Sequence, residues 1–290
     1  QRRHHALRGI LPRALGSSAR ELVNGGSEIV IDEAHGVAIA PLMDTARVAG
    51  AKILEVYGRD FEVEYKGDDS PLTEADKAAN RIIMAFLDSS HAGVPVISEE
   101  NREIAYEQRR DWHRFWLVDP LDGTKEFIKK NGEFTVNIAL VENGRPVLGV
   151  VYRPVNDILY LGVENAGAWR IEGGGHPRLI EGGPHYSEKD RVQVVASRSH
   201  LTPEVEAFVE ELRGQGREVD FLSAGSSLKL CLVAEGAADV YPRFGPTMEW
   251  DTGAAQAVAT AAGRQVLNAE TREPLSYNKE NLLNPYFIVE

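Results

Sequence analysis

The sequence predicts a protein of mixed α and β structure, with an α+β first half followed by an α/β second half. Strand patterns joined by short turns succeed one another over residues 134–171, which is typical of an antiparallel sheet. Beyond residue 184, strand and helix patterns alternate. The stretch 173–184 is rich in Gly and Pro, so we expect the first half to span residues 37–182 and the second half 183–290.

The first half opens with apolar residues at helical spacing over residues 37–57, which predict an amphipathic helix. Pro71 and acidic first-turn residues favour a second helix over 74–89, and a short helix is expected from Lys125. The pair Asn143-Gly144 predicts a hairpin turn. Strands are expected over residues 61–65, 94–98, 115–118, 134–142, 146–152, 158–163 and 167–171.

In the second half, short apolar runs predict strands, and longer segments with helical periodicity predict helices. The last of these helices is rich in Ala, the strongest helix former. Helices are expected over residues 203–214, 227–235 and 251–262. Strands are expected over residues 192–196, 218–222, 237–241, 265–267 and 287–289.

The composition limits the class of protein. A chain of 290 residues with 43% hydrophobic content can bury a substantial core. Its apolar stretches are broken by Gly, Asn or charge well before the roughly 18 residues that a membrane span requires, so integral membrane association is not expected. The single cysteine, Cys231, excludes an internal disulfide and a Cys-rich zinc site, which suits a reducing, cytoplasmic compartment.

Charge is distributed unevenly along the chain. Residues 1–20 contain five arginines and no acidic residue, although the whole chain carries a net charge of −12. We interpret residues 1–36 as an N-terminal extension and the body as strongly acidic. Such a body repels the phosphate backbone, so polymeric nucleic acid is excluded as a partner. Bound divalent cations would let an acidic protein bind small anions.

The most informative segment runs from Trp116 to Thr124, where a buried strand leads into Asp-Pro-Leu-Asp-Gly-Thr. Asp119 and Asp122 are expected on a tight turn, close enough for their carboxylates to hold Mg²⁺, which prefers oxygen ligands. Taken alone, Asp-Pro-x-Asp-Gly is also ordinary turn chemistry. The motif therefore needs support from elsewhere in the chain.

Acidic residues recur at Asp76 in a Thr-x-x-Asp turn, at Glu99 and Glu100 after a strand, and at Asp251 after a Trp. Each has an ordinary explanation: a helix dipole contact for Asp76, a solvated loop for the Glu pair, and a helix cap for Asp251. Together with the Asp119–Asp122 motif, these make four acidic motifs, and their combination in this order is more specific than any one of them. They point to a carboxylate metal site.

These motifs resemble the inositol monophosphatase-like family of lithium-sensitive, metal-dependent phosphatases over about residues 37–290. The resemblance implies a layered α-β-α-β-α sandwich with an antiparallel N-terminal sheet and a mixed C-terminal sheet, and often a homodimer. One departure lies in the family's Trp-Asp-x-Ala-Ala-Gly pattern, which here has Gly253 after Asp251-Thr252. Because small residues are kept, we expect altered helix packing and intact metal binding.

The resemblance also implies a set of metal ligands. Glu99, Asp119 and the carbonyl of Leu121 would hold one Mg²⁺. Asp122 and Asp251 would join Asp119 around a second ion, whose role would be to stabilise the leaving oxygen.

Further roles implied by the family concern the reacting water and the phosphate. A third, looser Mg²⁺ would lie near Asp76 and Glu99. Thr124, paired with Asp76, would orient the water for in-line attack on phosphorus. The backbone N–H groups of Gly123 and Thr124 would bind phosphate oxygens at the start of the short helix.

Within the family, the sequence around residues 119–127, 225–229 and 237–243 is similar to CysQ-type 3'(2'),5'-bisphosphate nucleotidases. This implies adenosine 3',5'-bisphosphate or its sulfated form as the substrate, in sulfur assimilation and nucleotide recycling. Two alternatives stay open: an inositol monophosphatase or fructose 1,6-bisphosphatase, and a catalytically silent cation- or nucleotide-binding sensor. The candidate substrate-binding residues are Gly123, Thr124, Ser226, Lys229, Arg243 and His200.

Overall fold

The structure, a computed structural model, describes residues 31–65, 71–101, 104–196 and 202–290. Most of the predicted N-terminal extension lies outside the described residues, as does His200. The described helices are α1 Ile39–Tyr57, α2 Glu74–Ser90, α3 Tyr106–Arg109, α4 Thr124–Ile128, α5 Pro203–Gly214, α6 Leu228–Ala234 and α7 Glu249–Ala261. None of them is both long and apolar enough to cross a membrane.

The strands form a large first sheet, a smaller second region of sheet, and two short hairpins. The first seven in sequence are β1 Glu33–Ala34, β2 Val37–Ala38, β3 Val63–Tyr65, β4 Pro71–Thr73, β5 Val96–Ser98, β6 Arg114–Asp122 and β7 Thr135–Glu142. The others are β8 Arg145–Arg153, β9 Ile158–Val163, β10 Gly167–Glu172, β11 Arg178–Ile180, β12 Arg191–Ala196, β13 Glu218–Ser223, β14 Tyr241–Arg243, β15 Val266–Asn268 and β16 Phe287–Val289.

The first sheet has the order β11-β10-β9-β8-β7-β6-β5. Its neighbours are antiparallel except for β5 and β6, which run parallel. The predicted hairpin joins β7 to β8, where Asn143 and Gly144 both have positive φ, at 50° and 75°. That conformation suits the right-handed twist of paired strands. The antiparallel sheet expected for the N-terminal half is confirmed.

The second sheet region combines both pairing directions. Strands β12 and β13 run parallel, while β14, β16 and β15 are antiparallel in that order. A parallel bridge between Val194 and Val240 links β12 to the residue that precedes β14. The mixed C-terminal sheet predicted from the family resemblance is therefore confirmed.

Side chains of β6 show how the layers are stacked, because successive residues of a strand point to opposite faces. Trp116 and Val118 join the core formed with α1 and α2, whereas Phe115 and Leu117 join the core formed with α6 and α7. The second core continues into β15 and β16, and α5 packs on the far side of β12. The predicted α-β-α-β-α sandwich is confirmed.

The second half and the stretch before it differ locally from the prediction. The strand expected over 237–241 is wrong, since β14 begins only at Tyr241. Gly236, at φ 75°, ends the α6 region, and Asp239 donates its backbone N–H to Gln193 before the strand starts. Strand β11 was not predicted and lies within the Gly- and Pro-rich stretch 173–184. The division into halves at residues 182 and 183 stays a prediction.

Helix α7 lies directly against the first sheet because glycines face it. A Cβ at Gly149 of β8 would lie 2.2 Å from the carbonyl oxygen of Ala254, and one at Gly162 of β9 would lie 2.4 Å from Cα of Val258. Gly253 of α7 makes a similar approach, since its Cβ would lie 2.7 Å from Leu117 Cδ2. The glycine that departs from the family pattern thus lies at a close helix–sheet contact, and the altered helix packing expected there stays a prediction.

We predict that Gly162→Ala lowers the free energy of unfolding by about 1–3 kcal/mol, because the added methyl group would push the α7 backbone off the sheet. Urea denaturation followed by circular dichroism measures this change. Gly214→Ala is the control, since no atom lies within 4 Å of its added Cβ. Equal stability of the two variants would contradict the packing described for α7.

Candidate active site

The two aspartates of the motif lie on strand β6, which continues through Asp122 instead of ending in the predicted tight turn. Asp119 pairs with Asn137, and Asp122 pairs with Thr135. The two pairs are three residues apart on β6 but only two residues apart on β7. This extra residue is a β-bulge, which re-aims side chains that would otherwise point to opposite faces. Pro120 suits the interruption because it has no N–H to donate.

Asp251, in the first turn of α7, completes a group of carboxylates. One oxygen from each of Asp119, Asp122 and Asp251 can be chosen so that all lie within 4.8 Å of one another. Asp119 is buried, and the other two lie half-buried beside it. Among the described residues, Asp76 and Glu99 are not members of this group.

Each aspartate of the group accepts a backbone N–H with one of its two carboxylate oxygens. Asp119 Oδ1 accepts the N–H of Leu121 at 3.1 Å, and Asp251 Oδ2 accepts the N–H of Met248 at 2.8 Å. Asp122 Oδ2 accepts the N–H of Ser227 at 2.5 Å. Since a carboxylate has two oxygens, the arrangement fixes the side chains and leaves each a second oxygen for a cation.

Burial and mutual repulsion make this group electrostatically costly without a cation. Burial raises the pKa of Asp251 to about 8, and the charge of Asp122 contributes. The pKa of Asp119 is raised well above its usual range by burial and then by Glu99. For Asp122, burial outweighs the opposing effect of Lys229 and raises the pKa to about 6. A hard divalent cation fits this all-oxygen donor set and would offset the repulsion.

Asp76 makes two kinds of contact at the start of α2. Its Oδ2 accepts the N–H of Thr73 at 2.7 Å, as in a capping box, and also accepts the hydroxyl of Thr73 at 2.6 Å. Its Oδ1 lies 3.3 Å from the hydroxyl of Thr124, which also lies 3.3 Å from the carbonyl of Leu121. A hydroxyl has one proton, so Thr124 can donate to only one of these acceptors at a time.

Glu99 and Glu100 form a short 3₁₀ turn directly after β5. Because β5 and β6 run parallel, their carboxyl ends meet at the same edge of the sheet, close to Asp119. The charge of Glu99 accordingly raises the pKa of Asp119, and to a smaller extent that of Asp251. Glu99 is therefore near the group, and its role as a metal ligand stays a prediction.

A cavity of about 570 Å³ opens beside Asp122 and Asp251. Its wall includes four of the predicted substrate-binding residues, namely Gly123, Ser226, Lys229 and Arg243, whereas Thr124 does not line it. It also includes residues without a predicted role, among them Lys125, Lys129, Tyr241 and Phe244. One cavity thus joins the acidic group to the basic residues of the second half.

Three side chains in this cavity have capacity for a ligand. Within the described part of the chain, Ser226 Oγ and Arg243 Nε are buried without a hydrogen-bond partner. Arg243 Nη2 donates to the carbonyl of Pro246 at 3.0 Å, and Lys229 Nζ donates only a long contact of 3.4 Å to the carbonyl of Ser226. Ser226 adopts φ 47°, a left-handed conformation that is costly for a residue with a Cβ.

Sequence reasoning missed the hydrogen-bond network behind Asp122. Ser227 Oγ lies 2.8 Å from Thr135 Oγ1 and donates to Asn137 Oδ1 at 2.9 Å, while Asn137 Nδ2 donates to Asp122 Oδ2 at 3.4 Å. Polar residues at alternate positions of the otherwise apolar strand β7 were the available signal. The network fixes the carboxylate of Asp122 and joins the two halves of the chain.

Comparison with known proteins identifies relatives of the whole body of the chain. The model of the inositol monophosphatase family matches residues 37–286. The 3'(2'),5'-bisphosphate nucleotidase CysQ of Escherichia coli K12 is 48% identical over 247 residues, which cover 84% of this chain and 96% of that protein. The enzyme of the same name from Haemophilus influenzae is 35% identical over 251 residues, covering 83% and 88%.

Solved structures give the same result. The crystal structure of CysQ from Bacteroides thetaiotaomicron has a TM-score of 0.77 and 49% identity, covering 87% of this chain and 96% of that one. The suppressor protein suhB of Bartonella henselae has a TM-score of 0.68 and 26% identity, covering 86% and 92%. The resemblance that the motifs carried is confirmed, and the chain belongs to the inositol monophosphatase family.

Proposed function

We propose that the chain is a Mg²⁺-dependent 3'(2'),5'-bisphosphate nucleotidase that removes the 3'-phosphate of adenosine 3',5'-bisphosphate or its sulfated form. The observation that carries the proposal is the single cavity lined both by Asp122 and Asp251 and by Lys229 and Arg243. A substrate with two phosphates suits it, because one phosphate can lie at the acidic group and the other at the basic residues. The similarity to CysQ proteins supports the same substrate.

The acidic group and its neighbours are proposed to hold two or three Mg²⁺ ions. Glu99, Asp119 and the carbonyl of Leu121 would hold one ion, and Asp119, Asp122 and Asp251 would hold a second. Asp76 and Glu99 would hold a third, looser ion. When bound, the ions supply positive charge to the phosphate oxygens and lower the pKa of a coordinated water.

The chain's own residues then orient the reactants. The hydroxyl of Thr124, which reaches Asp76, positions the attacking water opposite the leaving oxygen. The N–H groups of Gly123 and Thr124 bind the phosphate oxygens, and Gly123 is required there because φ is 88° and a Cβ would lie 3.2 Å from the carbonyl of Glu133. No covalent enzyme intermediate is needed.

The remote phosphate is proposed to bind Arg243 and Lys229. Arg243 offers a planar fork with a buried, unpartnered Nε, and Lys229 offers a compact point charge. The hydroxyl of Ser226 lines the same cavity, and its Oγ is also unpartnered among the described residues. These contacts would distinguish a bisphosphate from a monophosphate.

Phosphate release tests the proposal. We expect rapid release from adenosine 3',5'-bisphosphate with Mg²⁺ and none after chelation, and slower release from inositol 1-phosphate and fructose 1,6-bisphosphate. A higher specificity constant for either sugar phosphate would favour the first alternative function. Cation or nucleotide binding without any turnover would favour the silent sensor.

We predict inhibition by Li⁺ at concentrations where Na⁺ has no effect. Li⁺ is small enough to enter a carboxylate group built for a hard cation, yet it carries one charge instead of two, so it stabilises the leaving oxygen less. Initial rates measured in matched LiCl and NaCl series give the comparison. Identical rates in the two salts would count against the proposed leaving-group site.

A homodimer and a cytoplasmic location are also proposed, on the family resemblance and on the single cysteine, Cys231. Light scattering after size exclusion gives the oligomeric mass directly. A monomeric mass at micromolar protein would contradict the dimer, and recovery outside the cytoplasmic fraction would contradict the location.

A further inference from the structure

We infer that Glu249 is a positioning residue: its buried carboxylate holds the first turn of α7 so that Asp251 faces the other two aspartates. The inference rests on the proposed metal centre. Glu249 is the first residue of α7 and lies two positions before Asp251. It does not line the substrate cavity, so it would act through the helix and not by touching the substrate.

The carboxylate of Glu249 is fully buried, and both its oxygens accept hydrogen bonds from one loop. Oε2 accepts the N–H of Asn278 at 2.7 Å. Oε1 accepts the N–H of Lys279 at 3.0 Å and its ammonium Nζ at 2.6 Å. The first residue of α7 is therefore tied by three donors to residues 278–279.

That loop is itself held by Arg109, the buried last residue of α3. Arg109 Nη1 donates to Asn278 Oδ1 at 2.9 Å and to the carbonyl of Lys279 at 2.7 Å, and Nη2 donates to the carbonyl of Glu280 at 2.8 Å. Asn278 Nδ2 returns a bond to the carbonyl of Arg109 at 2.6 Å. The donors that bind Glu249 thus belong to a fixed frame.

The opposite side of the same turn is held by Asn284. Its Nδ2 donates to the carbonyl of Met248 at 2.8 Å and to Thr252 Oγ1 at 3.0 Å. Met248 in turn donates its N–H to Asp251 Oδ2 at 2.8 Å. A shift of Met248 or Glu249 would consequently move the carboxylate of Asp251.

Stability alone gives a poor reason for this arrangement. Burying an ion pair costs about as much desolvation as it gains in attraction, and apolar replacements are often neutral or stabilising. A fully satisfied buried network instead fixes one geometry. Three aspartates that must converge on small cations benefit from such a constraint, since their mutual repulsion favours moving Asp251 away.

The test is Glu249→Gln, studied by titration calorimetry with Mg²⁺ alone and by activity. A Gln side chain has only one acceptor oxygen, so its NH₂ group would face a backbone N–H and that hydrogen bond would be lost. We expect about 10–100-fold weaker Mg²⁺ binding and an equal rise in the Mg²⁺ concentration for half-maximal activity. At saturating Mg²⁺, KM for the nucleotide should stay near the wild-type value.

Leu212→Ala is the matched control, because it removes packing from the separate core between α5 and β12, away from α7. It should lower stability and leave Mg²⁺ affinity unchanged. Lys279→Met removes the ammonium group, one of the three donors to Glu249, and should weaken Mg²⁺ binding severalfold. This variant tests the inference if Glu249→Gln does not fold. Wild-type Mg²⁺ affinity in the folded Glu249→Gln protein would overturn the inference, and so would an equal loss of affinity in Leu212→Ala. If Glu249→Gln does not fold, wild-type affinity in Lys279→Met would overturn it. Absence of Mg²⁺ binding in the wild-type protein would instead refute the proposed metal centre.

Discussion

Asp119→Asn is expected to lower kcat by roughly a hundredfold to ten-thousandfold while the protein stays folded. The substitution keeps the shape of the side chain and an oxygen that can accept the N–H of Leu121, which lies 3.1 Å from Asp119 Oδ1. It removes the negative charge that the proposed site shares between two cations. Because burial and neighbouring acids already oppose that charge in the absence of metal, the metal-free fold should not lose stability.

Steady-state rates at saturating Mg²⁺ and thermal unfolding of the metal-free protein measure the two effects. Asp220→Asn is the matched control, since this aspartate lies on strand β13 and pairs with Arg191 at the surface. It should leave kcat unchanged. Near-wild-type turnover in a folded Asp119→Asn protein would remove the proposed metal mechanism.

Arg243→Ala is expected to lower kcat/KM for adenosine 3',5'-bisphosphate by roughly tenfold to a hundredfold or more. A charge-assisted contact contributes about 1.5–3 kcal/mol, which corresponds to that range. Adenosine 3'-phosphate lacks the remote phosphate and should lose little. Whether the loss falls on KM or on kcat reports whether the contact strengthens in the transition state.

Lys229→Ala should show a loss of similar size on the bisphosphate, together with a part common to both substrates. The structure gives the reason, since the charge of Lys229 lowers the pKa of Asp122 in the acidic group. Arg243 also lowers the pKa of Asp251, but burial and the neighbouring acids affect that pKa more strongly, so Arg243 is the cleaner probe. Arg243→Lys, which keeps the charge but not the planar fork, should be intermediate. Equal losses on the two substrates for Arg243→Ala would mean that this residue supports the fold or the metal site instead.

Several elements could be predicted from the sequence because neighbouring residues determine them. Helix α5 and strand β9 have the predicted bounds, and the Asn143-Gly144 turn joins the predicted strands. Each depends on a cap, a period or a turn preference that acts within a few residues. The acidic motifs could also be recognised from the sequence, since their order and spacing resemble those of a family that the comparison confirms.

The tertiary structure decided how those motifs meet. The bulge at Pro120 exists because β6 is paired with β7, and that pairing aims Asp119 and Asp122 to one side. Nothing in the local sequence distinguishes it from the turn that was predicted. In the same way, the apolar residues of 237–241 favour a strand over that whole range, whereas the pairing of Tyr241 with Val289 places the start of the strand at Tyr241.

The sequence alone determined most of the elements, the acidic motifs and the family, because these depend on short-range patterns of residue type. Only the tertiary structure decided the contacts that orient the acids: Ser227 lies 105 positions from Asp122, and the loop donors of Glu249 lie 29 and 30 positions from it. Such contacts form when distant segments pack against each other, and their partners carry no periodic signal. The alignment of each carboxylate is thus a property of packing.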